Sequence, residues 1–157
     1  MEKNTIIISG FPGVGKSYLT EMFKNTNVIV QDSDSSNFSW IEPGVRNPDF
    51  PNNYIKHIKE LIGKVDYILI SSHENVRKEL ANEGIVYALV YPDPTLKDIY
   101  INRYKKRNSS DGFINNINNT FYSFVSQCDD DIYAKRFILT EDNYLSDIID
   151  DIKDFFK

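Results

Sequence analysis

Residues Gly10-Phe11-Pro12-Gly13-Val14-Gly15-Lys16-Ser17 constrain the fold of this chain more than any other stretch. They spell G-x-x-x-x-G-K-S between two segments of different periodicity. Ahead of them, Thr5-Ile6-Ile7-Ile8-Ser9 is an apolar, β-branched run of the kind that forms a buried strand. Behind them, Tyr18-Leu19-Thr20-Glu21-Met22-Phe23-Lys24 places apolar residues at helical spacing. A strand, a glycine-rich turn and a helix start together make a cup of backbone N–H groups at the positive end of a helix. The glycines let successive amides turn inward, Lys16 extends toward β- and γ-phosphates, and the Ser17 hydroxyl suits Mg²⁺. The pattern predicts a nucleoside-triphosphate site, with Gly10, Pro12, Gly13, Val14, Gly15, Lys16, Ser17 and Tyr18 around the phosphates.

The chain of 157 residues fits one domain, expected over 1–157. Its net charge of -5 disfavours general nucleic-acid binding but leaves room for a local basic cleft. The one cysteine, Cys128, has no partner for an internal disulfide, which fits a reducing compartment. It sits in Phe124-Val125-Ser126-Gln127-Cys128, a setting for a buried helical thiol rather than a nucleophile. No apolar run is long enough to span a membrane, and Met1-Glu2-Lys3 leads almost directly into the first strand. A cytoplasmic location is expected. Abundant Asn, Ile, Lys and Tyr match the residue usage of an AT-rich genome, such as a low-GC bacterium or its phage.

Further along, apolar runs alternate with helical patterns. Strands are expected at 5–9, 27–31, 67–71, 86–90 and 136–140, with helices at 16–24, 54–62, 74–82, 95–106, 113–127 and 145–156. Five short buried strands with helices between them predict a three-layer α/β/α sandwich around a five-stranded parallel sheet, of the P-loop NTPase type. The polar stretch 35–51, with Phe38, Trp40, Arg46 and three prolines, reads as an irregular substrate loop. A lid is expected over about 103–115, around the break Asn108-Ser109-Ser110-Asp111-Gly112.

Ligands of such sheets bind at the carboxyl ends of the strands. Asp32-Ser33-Asp34 ends the second strand, and its carboxylates divide between holding Mg²⁺ and orienting an acceptor hydroxyl. Asp32 is assigned to the metal shell with Ser17, and Asp34 to the acceptor. The third strand ends in Ser71-Ser72-His73-Glu74 and lacks the Asp often found there. Asp66 is at the opposite end of that strand, roughly 15–20 Å from the phosphates at a rise of about 3.3 Å per residue. His73 reads as a polar helix start. Arg46 and Arg77 are candidate contacts for an anionic acceptor, with Asp32 and Asp34. Arg103 and Arg107 share a helix face beside Lys105 and Lys106, where mobile arginines would close over a transferred phosphoryl group. Thr140-Glu141-Asp142-Asn143-Tyr144 follows the last strand, where this architecture receives adenine through backbone contacts.

The chain resembles the P-loop kinases of small molecules, the group of nucleoside monophosphate, shikimate and gluconate kinases. The G-x-P-G-x-G-K-S form of residues 10–17, the Asp32-Ser33-Asp34 turn and the arginine-bearing helix carry the likeness. The run from Tyr91-Pro92 to Asn108 is also similar to small kinase-like proteins of phages. The resemblance implies ATP as donor, Mg²⁺ as cofactor and a hydroxyl or phosphate acceptor, with Lys16, Asp34, Arg103 and Arg107 catalytic. The glycine-rich substrate motif of shikimate kinases is absent, and the helical insert of adenylate kinases is replaced by residues 35–51. A nucleoside or nucleotide acceptor is suggested by Phe38, Trp40 and Arg46. A 5′-hydroxyl kinase of nucleic acid and a nucleotide-binding regulatory module stand as the alternatives.

Overall fold

A computed structural model describes residues 2–33 and 35–157, apart from the side chains of Ser36 and Asn37. Strand β1 (Ile6–Gly10) leads through the glycine loop to α1 (Lys16–Met22). Then come β2 (Val30–Asp32), a short helix α2 (Ser36–Ser39) and a hairpin of β3 (Trp40–Glu42) with β4 (Val45–Arg46). The middle of the chain holds α3 (Asn52–Leu61), β5 (Tyr67–Ser71), α4 (Glu74–Asn82) and β6 (Ala88–Pro92). A 3₁₀ turn over Pro94–Leu96 opens α5 (Lys97–Lys106), followed by α6 (Asp111–Asp129), β7 (Lys135–Leu139) and α7 (Leu145–Phe155).

The five-stranded sheet has the order β2-β5-β1-β6-β7, and its strands pair in parallel throughout, as expected for an α/β domain. Ile6, Ile7 and Ile8 of β1 and Ile68, Leu69 and Ile70 of β5 are buried because helices cover both faces of the sheet. Right-handed crossovers put α1 on one face and α3 to α6 on the other, since the chain moves first one way and then back across the sheet. Packing of α1 on α7, α3 on α4 and α5 on α6 agrees with that division. At the end of β1, Gly10 is level with Ser71 of β5 and with Val90 of β6. The glycine loop therefore leaves the middle of the sheet, between two strands that stop or diverge there.

Three segments differ from the sequence expectation. Strand β2 starts at Val30, three residues late, because pairing with β5 begins at Val30↔Tyr67 and the Asp66 carboxylate instead holds the Ile29 amide at 2.7 Å. Strand β6 runs to Pro92. Its partner there is Leu139 of β7, and β1 has already turned away after Val90, so the missing N–H leaves no gap on that side. Residues 35–51 are not irregular: Pro43-Gly44 turns a hairpin between β3 and β4, with Gly44 at φ 82°.

Arg77 is corrected by its position. It was expected to reach an acceptor, yet its side chain is 3% exposed and pairs with the Asp131 carboxylate at 2.7 Å. Its Nε donates to the Ser72 carbonyl at 3.0 Å, and the Tyr87 hydroxyl donates to the same carboxylate at 2.6 Å. Together they tie α4 and the entry to β6 to the turn after α6. His73 stands at the start of α4, as a helix-start residue should. Cys128 is buried on α6, and burial pushes its thiol up to about 12, so it is no nucleophile at neutral pH.

Burial alone would raise the Asp131 carboxyl. Hydrogen bonds from Tyr87, Arg77 and the Ala134 and Tyr133 amides outweigh that and hold it below the ordinary carboxylate value. A depressed folded-state value contributes stability that is complete above the unfolded-state value and is lost as pH falls through the folded one. Asp131→Ala is therefore expected to cost about 3–5 kcal/mol at pH 7, by leaving Arg77 buried and unpaired. In urea titrations repeated below pH 4, the gap between wild type and variant should narrow; a constant gap would contradict the pairing.

Candidate functional site

The carbonyls of the glycine loop are all taken up by the protein's own donors. The Gly10 carbonyl accepts from Lys16 Nζ at 2.9 Å, and that of Phe11 from the Val14 amide at 3.2 Å. Pro12 accepts from the Tyr104 hydroxyl at 2.6 Å and Gly13 from Arg103 Nη1 at 2.8 Å. Val14 accepts from the Leu145 amide at 2.8 Å, and Gly15 from the Leu19 amide at 3.0 Å. Six consecutive carbonyls are thus satisfied. The amides of Gly13, Gly15 and Ser17 have no partner among the described residues. A helix start with unpaired N–H groups favours an anion.

Phe11 anchors the loop below: it is fully buried against Phe124 and Phe121 of α6, at ring distances of 4.5 and 5.4 Å. Glycine is required at two positions. Gly13 has φ 93°, and a Cβ there would lie 2.9 Å from Tyr104 Cε1. Gly15 has φ 98°, and its Cβ would lie 3.0 Å from Tyr144 Cδ1. Both dihedrals belong to the left-handed region.

The loop forms one wall of a cleft of about 940 Å³. Lys16, Ser17, Asp32, Arg103 and Arg107 all line it, with Pro12, Gly13 and Gly15 in the loop itself. These are residues the sequence pointed to. Val14 turns its side chain into the core, and Tyr18 is 61% exposed and does not line the cleft. Gly10 lies at the root of the loop, under the Lys16 side chain. Asp34, the expected acceptor residue, lies outside the described residues.

Arg46 is corrected: it is exposed on β4, with its guanidinium 4.3 Å from the centre of the Trp40 ring. No described residue of 35–51 lines the cleft. Phe38 packs inward on His57 and Tyr54, at ring distances of 4.7 and 5.2 Å, as an anchor of its own segment.

Arg103 reaches the cleft but is not the mobile arginine expected of a lid. It is 9% exposed and bound to Gly13, to the Asp142 carboxylate at 2.7 Å and to the Asn143 carbonyl at 2.9 Å. The Tyr100 and Tyr144 rings lie 4.5 and 3.9 Å from its guanidinium carbon. The segment 103–115 is the end of one helix, a short link and the start of another. Asn108 at φ 59° makes the turn, and Ser110 caps α6 through the Phe113 amide at 3.1 Å. Arg107, by contrast, stacks loosely over Tyr104 and Phe113, and only its Nε is bonded, to Ser109 Oγ at 3.0 Å. Neither Arg107 nor Lys106 has an ion pair among the described residues. Across from them stands one described carboxylate, Asp32.

Ser33, within Asp32-Ser33-Asp34, and Phe113, within the segment 103–115, also line the cleft, though neither is assigned a role from sequence. Ser33 is pinned by the Tyr54 hydroxyl on its carbonyl at 2.6 Å and by His57 Nε2, 3.0 Å from its Oγ. Neither contact has a local sequence signature, since α3 supplies both from over twenty residues away. Ser71, at the end of β5, also lines the cleft, and its hydroxyl is buried with no partner among the described residues. Among the described residues no three His, Cys, Asp or Glu side chains form a metal cluster. Magnesium bound through phosphates needs one or two protein oxygens, the rest being water. Ser17, Asp32 and the orphaned Ser71 hydroxyl fit that modest demand.

No protein-family model matches this chain, and no curated protein matches it. It is similar in fold to the crystal structure of an uncharacterized protein from Eubacterium ventriosum ATCC 27560, with a TM-score of 0.53. The match covers 98% of each chain at 14% identity, a likeness of fold.

Because both its backbone angle and the Tyr104 ring oppose a side chain, Gly13→Ala is expected to cost about 1–2 kcal/mol of stability. It should also weaken anion binding at the loop by at least about tenfold. Calorimetry with inorganic triphosphate, beside a urea titration, checks both effects.

Proposed function

We propose that this chain is a P-loop phosphotransferase that moves the γ-phosphoryl group of ATP to a small acceptor with the help of Mg²⁺. The observation that carries the reading is the polarity of the glycine loop, with its carbonyls from Gly10 to Gly15 satisfied and the amides of Gly13, Gly15 and Ser17 open to an anion. The placement of that loop on the central strand supports it further. Lys16, held at the loop by the Gly10 carbonyl, is the charge for the β- and γ-phosphates. Arg107 and Lys106 are suited to the charge on the transferred group, since their cations are not paired within the described chain. Arg103, expected in that role, is better suited to holding the loop. Ser17 and Asp32, with Ser71 beside them, are the residues that would hold Mg²⁺, which would supply neutralisation of phosphate charge.

Phe38, Trp40 and Arg46, which suggested a nucleoside acceptor, lie away from the cleft wall. The acceptor is therefore proposed no more closely than as a small molecule offering a hydroxyl or phosphate, facing Asp32 and Ser33. One observation favours a second reading, a nucleotide-binding regulatory module: β5 ends in Ser71, where a carboxylate would strengthen the metal site.

A transfer screen with labelled ATP across nucleosides, nucleotides, sugars and short oligonucleotides tests the proposal. Label on a small acceptor is expected. ATP binding with no labelled product from the panel would favour the regulatory reading. Lys16→Ala should remove transfer by about two orders of magnitude or more. Arg107→Ala should lower turnover by about 100-fold while changing ATP affinity little, measured as a split between kcat and KM.

A further inference from the structure

Four of the six loop carbonyls are satisfied by main-chain amides or by Lys16. The other two, of Pro12 and Gly13, depend on neighbouring side chains of α5, Tyr104 and Arg103. A peptide unit is planar and trans, so the direction of its C=O fixes the opposite direction for the N–H of the next residue. The Tyr104 hydroxyl on the Pro12 carbonyl thereby sets where the Gly13 amide points. Arg103, on the Gly13 carbonyl, fixes the following peptide, whose Val14 amide closes the turn onto Phe11.

Gly13 is the weak place in the cup. Glycine adopts either sign of φ readily, so the Pro12–Gly13 peptide has little intrinsic reason to keep its N–H inward. Turned over, it would present an oxygen to an anion instead of a donor. The surroundings resist this in two ways: the Tyr104 and Tyr100 rings pack on Gly13, and the hydroxyl grips the carbonyl. Burial raises the Tyr104 phenol well above its ordinary value, so it stays a protonated donor at neutral pH. Arg103 extends the grip to the loop after β7, because the same guanidinium binds Asp142 and the Asn143 carbonyl.

We infer that Tyr104 is a positioning residue that holds the Gly13 amide toward the cleft before any ligand arrives, and that Arg103 supports it by fixing the next peptide of the same turn. The inference rests on the phosphate-site reading above and adds that the cup is organised from outside, by α5. Their action is on the phosphate side, so it is the same for a nucleotide as for a phosphate chain without base or sugar.

The test compares Tyr104→Phe with Tyr87→Phe. Both remove one buried hydroxyl, but that of Tyr87 bonds Asp131, far from the loop. Binding of inorganic tripolyphosphate and of ATP is measured by calorimetry with Mg²⁺. The Gly13 and Gly15 amide signals are followed by ¹H–¹⁵N spectroscopy without ligand. Tyr104→Phe should weaken both ligands by a similar factor, about five- to tenfold, and shift the Gly13 signal. Tyr87→Phe should leave both affinities and that signal unchanged. Equal affinities and an unmoved Gly13 signal in Tyr104→Phe would overturn the positioning role while leaving the site reading intact. No heat from wild type with either ligand would overturn both. Should Tyr104→Phe fail to fold, Arg103→Lys takes its place, since an ammonium cannot span Gly13, Asp142 and Asn143 as the guanidinium fork does. The same loss is expected there, and wild-type affinity would overturn the inference.

Discussion

Hydrogen bonds to the outer rim of the glycine loop organise this molecule. A run of six carbonyls, from Gly10 to Gly15, would ordinarily compete with the amides for the inner side of such a tight turn. Here each has a donor: α1 supplies Lys16 and Leu19, α5 supplies Arg103 and Tyr104, α7 supplies Leu145, and the loop's own Val14 amide closes on Phe11. Helices from both faces of the sheet therefore meet at one loop. The sheet order makes this possible by bringing β1 out between β5 and β6, where helices of either layer can reach it.

Charge is sorted with equal economy. The chain carries a net charge of -5, yet its cleft is lined by Lys16, Arg103, Lys106 and Arg107 against one described carboxylate. The arginines that look alike in sequence do different work. Arg77 is neutralised in the interior by Asp131, Arg46 stacks on Trp40 at the surface, and Arg103 is committed to backbone and to Asp142. Arg107 keeps most of its donors for something else. Burial and pairing, which depend on tertiary neighbours, separate these four roles.

That difference marks what could be read before the fold was known. The glycine motif between a β-branched run and a helical repeat carried the central strand, the cup and the alternation of strands and helices, since each rests on local periodicity. The residues nearest the loop, Lys16 and Ser17, were legible for the same reason. Arg46 and Arg77 were misjudged because their partners, Trp40 and Asp131, are set by a hairpin and by a helix end 54 residues away. The hairpin itself had a signal, Pro43-Gly44 between two short apolar segments, which the polar composition around it masked. Tyr104 had none, because a phenol that meets a carbonyl 92 residues earlier leaves no trace in spacing.

Helix α5 is divided within a single turn. Up to Tyr104 it is bolted to the loop, while Arg107 and Lys106 stand at its last turn, just before the left-handed Asn108 and the link into α6. On the reading proposed above, the groups nearest to hand for closing over a phosphate are the side chains of Arg107 and Lys106, exposed torsions that turn over in roughly nanoseconds and sweep about a few ångströms.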